Sequence, residues 1–72
     1  MKTFWVSLII EKENPWFVAF CPELEIASQG KTIEEAKANI KEAIELYLQS
    51  ADPSEIQLPD EPPMVSSLSV NV

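Results

Sequence analysis

The sequence predicts an α+β domain of order β-β-β-α-β, with one helix covering one face of a four-stranded sheet. Three observations predict it. Apolar residues alternate with a period of two through the first part of the chain, and again from Met64 to Val72. Between them a helical periodicity runs from Ile33 to Gln49, opened by Thr32 and ended before Pro53. A chain of 72 residues, 46% hydrophobic and 24% charged, holds one folded domain over 1–72.

The first strand is expected over about 2–10, with Phe4, Val6, Leu8 and Ile10 on one face and Thr3, Trp5, Ser7 and Ile9 on the other. Glu11 to Pro15 reads as a polar break, with turn chemistry at Asn14-Pro15. The second strand, 16–21, is aromatic and β-branched, and Pro22 stops it. The short spacer makes the two an antiparallel hairpin. Pro22-Glu23-Leu24 is a turn, and a short third strand over 25–29 closes at Gly30. Gly30 is the only glycine, and a sole glycine marks a backbone that needs positive φ or close packing.

The helix spans about 33–49. Thr32 is its N-cap and Glu35 the third residue of a capping box, so two orphan amide donors are satisfied reciprocally. Glu34 and Glu35 in the first turn suit the positive end of the helix dipole. Ile33, Ala36, Ile40, Ala43, Ile44 and Tyr47 define one apolar stripe, and Lys37, Lys41, Glu42 and Glu45 lie largely outside it. A linker follows over 50–63, where Pro53, Pro59, Pro62 and Pro63 can neither continue a helix nor donate to a ladder. The last strand, 64–72, places Met64, Leu68, Val70 and Val72 on one parity, to share the core with the helix stripe and with Phe4, Val6, Leu8 and Ile10. A meander followed by a right-handed crossover gives the sheet order 3-2-1-4.

Composition narrows the function. Twelve acidic residues against five lysines, with no arginine or histidine, give a net charge of −7. That argues against nucleic acid as a direct partner, because phosphate contacts need clustered Lys and Arg. The usual neutral-pH general base and the commonest metal ligand are absent with histidine. No run is long enough for a membrane span or a signal-peptide core. One cysteine cannot form an internal disulfide, which fits a reducing cytoplasm. A small, acidic binding module is expected, with no enzymatic activity, cofactor or metal.

The chemistry-bearing residues agree. Gly30-Lys31-Thr32 imitates the end of a phosphate-binding loop, but the glycine needed five residues earlier is Glu25. Cys21 ends an apolar strand without a histidine partner, so it reads as a buried, inert thiol. Glu23 and Glu25 could pair as acid and base or hold a metal, but two loop residues set no geometry. They read as solvated carboxylates able to meet a basic partner. Trp5 and Trp16 are interface candidates. One helix covers only one sheet face, so Trp5 and Ile9, with one parity of the second strand, are left for self-association as a homodimer or higher homo-oligomer.

Several segments resemble one known family. Val18-Ala19-Phe20-Cys21-Pro22-Glu23-Leu24, Ser28-Gln29-Gly30-Lys31-Thr32, Ile33-Glu34-Glu35-Ala36 and Asn39 to Leu48 are similar, in order and spacing, to the HicB antitoxins over roughly residues 4–49. Where the family has Pro-Gly-Cys after the leucine, this chain has Glu25-Ile26-Ala27. Its hairpin turn is Asn14-Pro15 where the family commonly has a glycine. The resemblance implies a partial ribonuclease-H-like fold and neutralisation of a small basic HicA toxin that cleaves mRNA. Family members also carry a C-terminal DNA-binding domain. None is expected in this chain, and operator binding is not carried over. Two rivals stand beside this expectation: a stand-alone homo-oligomer without a toxin, and a metal-dependent nuclease remnant using Glu11, Glu23 or Glu25.

Overall fold

Alternating strands and one periodic helix form an α+β domain, and a computed structural model describes residues 3–72 of it. The elements are β1 (Ile9–Glu13), β2 (Trp16–Cys21), β3 (Ile26–Gly30) and α1 (Ile33–Ser50), followed by a 3-10 turn at Pro53–Glu55. The strands form an antiparallel sheet of order β1-β2-β3. The register sets Ile9 opposite Phe20 and Glu13 opposite Trp16 in the first pair, and Phe17 opposite Gly30 in the second.

The strand boundaries need correction. The first strand was expected over 2–10, of which Lys2 lies outside the described residues; β1 instead runs through the polar Glu11-Lys12-Glu13, and only Asn14-Pro15, joined by a cis peptide bond, separates it from β2. An edge strand with one open face accepts charged residues. Upstream, the register runs out: position 8 would meet Cys21, and the next partner is Pro22, which has no N–H. Residues 3–8 therefore belong to no strand. The third strand starts at Ile26 and not at 25, because Glu25 has φ 54°, a left-handed conformation that cannot enter a ladder.

The largest correction concerns the end of the chain. Residues 64–72 form no strand, every one of them is exposed, and the sheet of the described residues has three strands. The order 3-2-1-4 is not formed here. A fourth strand needs a ladder edge to accept its N–H groups, and the segment 3–8 that would extend β1 toward it is itself outside the ladder.

The core lies between the sheet and α1. Ala19, Cys21, Ala36, Ile40 and Ile44 are buried, and Val6, Leu8, Ile10, Phe17, Leu24, Ile26 and Leu48 pack around them. The buried helical row is therefore 36-40-44, continued by half-buried Leu48, while Ile33 and Tyr47 of the expected stripe are exposed. Residues four apart stack along one line of a helix, and Ile33 and Tyr47 lie to either side of that line. Thr32 caps α1 by accepting from the Glu35 N–H at 3.0 Å. The return bond differs from the expected box, since Glu35 Oε1 accepts from the Lys31 N–H at 3.3 Å. Asn39 ties the helix to β3 by donating from Nδ2 to the Gln29 carbonyl at 2.9 Å. Gly30 is buried without positive φ, so close packing is what demands glycine there.

Candidate functional site

Two apolar surfaces remain open, one on each side of the sheet. The first is the face turned away from α1. Side chains alternate across a strand, so the register places Ile9, Glu11 and Glu13 of β1 on this face with Trp16, Val18 and Phe20 of β2. Ile9 is 42% exposed and Phe20, directly opposite, 38%. Trp16 is half-buried at the hairpin end, opposite Glu13. The same alternation segregates charge. Glu11 and Glu13 stand on the open face, while Lys12 falls on the other parity, its ammonium 5.8 Å from the centre of the Phe17 ring.

Trp5 is also exposed, but it precedes the ladder, at the end of the sheet away from Trp16. The two tryptophans are thus separate, and Ile9 with Phe20 forms the middle of the patch. Phe20 was not singled out from the sequence. Its partner across the ladder depends on the hairpin register, which is set by the two-residue Asn14-Pro15 connection.

The second surface is a groove of about 550 Å³ between residues 3–8 and α1. Phe4, Val6, Leu8, Ile40, Ile44 and Leu48 line it, with Lys37 and Lys41 among its exposed walls. It is open because the expected fourth strand does not cover it.

The two glutamates in the β2–β3 connection have different environments. Glu23 accepts from the Ser7 N–H with both carboxylate oxygens at 3.0 Å and from the Ser7 hydroxyl at 2.7 Å. The Cys21 thiol donates to it at 3.6 Å. Partial burial opposes its ionisation, but the Ser7 hydroxyl and N–H outweigh it and hold the carboxyl below its ordinary range. Glu23 therefore clasps the segment before β1 onto the turn after β2. Glu25 is exposed on the left-handed turn residue. Cys21 is fully buried, and burial, helped by the Glu23 carboxylate, raises its pKa and keeps the thiol protonated.

Glu11 lies in the ladder opposite Val18, apart from the Glu23 turn, and among the described residues no three carboxylate or thiol side chains gather into a metal-holding group. Gly30-Lys31-Thr32 is a β3-to-α1 turn and cap. Among the described residues no helix is long and apolar enough to cross a membrane.

Similar proteins exist in two bacteria. A UPF0150 protein of Helicobacter pylori is 48% identical over 52 residues, covering 71% of this chain and 72% of its own length. A UPF0150 protein of Synechocystis sp. is 44% identical over 68 residues, covering 92% of this chain and 86% of its own. A second Synechocystis UPF0150 protein is 42% identical over 50 residues, covering 68% and 69%. No family model and no solved structure matches the chain.

Proposed function

The chain belongs to the UPF0150 family, and we propose that it is a HicB-like antitoxin module that binds and neutralises a small basic, mRNA-cleaving toxin of the HicA type. The observation that carries this reading is the open sheet face, where exposed Ile9 and Phe20 lie beside Glu11 and Glu13 in a chain of net charge −7. An apolar centre flanked by carboxylates suits a basic partner: the charges steer encounter, and the apolar side chains hold the complex once water is expelled. The motif order from Val18 to Leu48 supports the HicB-like assignment and the partial ribonuclease-H-like fold that goes with it. The work is binding in the cytoplasm, and no chemical step is assigned to the chain.

The glutamates that carry the electrostatics are Glu11 and Glu13. Glu23, favoured on sequence grounds, is already engaged by Ser7. A second reading, a stand-alone homo-oligomer, is favoured by the same exposed Ile9 and Phe20, which a second copy could cover.

The test is whether a short basic reading frame lies beside this gene, whether its product, made catalytically inactive, binds this chain, and whether the chain rescues growth when the active product is co-expressed. Wild-type chain should bind, with an association rate that falls as salt rises, since exposed charges beyond about 10 Å are screened at 0.1 M. Glu11→Lys with Glu13→Lys should slow association by about tenfold or more while changing dissociation less. An unchanged association rate removes this face from the interface. Failure to bind or rescue refutes the antitoxin reading and leaves the homo-oligomer.

A further inference from the structure

We infer that the groove between residues 3–8 and α1 is filled by residues 64–72 of a second copy of this chain, in a reciprocal exchange that forms a two-fold dimer. Groove and segment match in three respects. Residues 64–72 carry no charge and alternate like a strand, with Met64, Leu68, Val70 and Val72 on one side, yet all of them are exposed on their own body. The groove has an apolar floor that includes Val6, Leu8 and Ile44. Its exposed walls carry Lys37 and Lys41 with Glu45 after them, and neither lysine is held in an ion pair among the described residues. Asp60 and Glu61, just before the apolar segment, supply the opposite charges. Length fits as well: nine extended residues reach about 30 Å, and the stretch of α1 from Lys37 to Leu48 is about 17 Å long.

The chain's own shape points to a second copy. Its radius of gyration is 13.8 Å and its longest extent 43 Å, where a compact chain of this length has a radius near 11 Å. Ile56, Leu58 and Pro63 of the linker are half-buried, whereas every residue beyond Pro63 is exposed. A segment projecting from one body and an uncovered groove on the same body complete each other across a two-fold axis, which closes the assembly at two copies. The projecting segment then serves as the fourth strand beside residues 3–8 of the partner, where its own backbone N–H groups find acceptors. This dimer leaves the Ile9–Phe20 face free and does not depend on the toxin-binding reading.

The test is light scattering after size exclusion at micromolar concentration, on the full chain and three variants. Wild type should run at about 16 kDa, twice the 8.1 kDa of one chain. Leu68→Asp with Val70→Asp, at two exposed positions, should run as a monomer with a far-ultraviolet circular dichroism spectrum equal to that of wild type. Trp5→Ser should remain dimeric. Mixing a Lys41→Cys chain with a Val70→Cys chain under oxidising conditions should give a disulfide-linked heterodimer, with fully buried Cys21 unreactive. A monomeric wild type overturns the inference. So does a Lys41→Cys/Val70→Cys double variant that closes only within one chain. A dimer that survives the two aspartates but dissociates with Trp5→Ser overturns it too.

Discussion

Replacing Gly30 with alanine tests the packing of β3 against the start of α1. A Cβ at this position would meet Ala36 N at 2.5 Å, Glu35 C at 2.8 Å and Glu35 Cβ at 2.9 Å. The first two are backbone atoms that no rotamer change can move, so the helix N-terminus must retreat from the strand. That retreat pulls on the Asn39-to-Gln29 bond and loosens the layer holding Ala36 and Ile40. Overpacking of this kind costs about 1–3 kcal/mol. An opposing effect must be subtracted. Because φ at Gly30 is not positive, alanine suits the backbone and restricts the unfolded chain, a gain of about 0.4–1 kcal/mol. The clash is larger, and a net loss of roughly 1–2 kcal/mol follows. In a domain of this size, each kcal/mol lowers the melting temperature by about 4–8 °C. Urea titration followed by far-ultraviolet circular dichroism should show a lower midpoint with an unchanged slope. The control is Gln29→Ala, an exposed neighbour expected to stay within about 0.5 kcal/mol of wild type. A Gly30→Ala midpoint equal to wild type would refute the close-packing argument and return the glycine to a merely tolerated position.

Glu23 should make stability depend on acid. Its carboxyl is held below the ordinary value of 4.5 in the folded state, so its contribution is present above that pH and is lost as pH falls through the lower folded value. The carboxylate is exposed, so screening limits the effect to about 1 kcal/mol at most. Unfolding midpoints between about pH 5 and 3 should fall less steeply in Glu23→Gln than in wild type, and parallel curves would remove Glu23 from the linkage. Thr32→Ala should cost about 0.5–2 kcal/mol by leaving the Glu35 N–H without its cap. Thr32→Ser should recover most of that loss, and equal stability of all three proteins would show that the 3.0 Å bond contributes nothing.

Local pattern alone determined much of this protein. Period-two and period-3.6 apolar spacing, Thr32 at the head of the helix and Pro22 after the second strand placed β2, β3 and α1 to within a residue at each end. These are short-range effects of backbone donors, caps and side-chain direction, and neighbouring residues carry them. The position of β1 was not legible. The alternation of Phe4, Val6, Leu8 and Ile10 is equally good for a strand, but pairing depends on where a partner ends, and the register exhausts β2 at Cys21. The role of Glu23 was hidden for a similar reason, since Ser7 is 16 positions away and meets it only when the hairpin closes. Gly30 could be marked from sequence as special, but only the distance to the Ala36 backbone decided between positive φ and close approach. The segment 64–72 states the limit most clearly. Its alternation is strand-like, yet it forms no strand in the single chain, because a strand, unlike a helix, satisfies its backbone donors only on another segment.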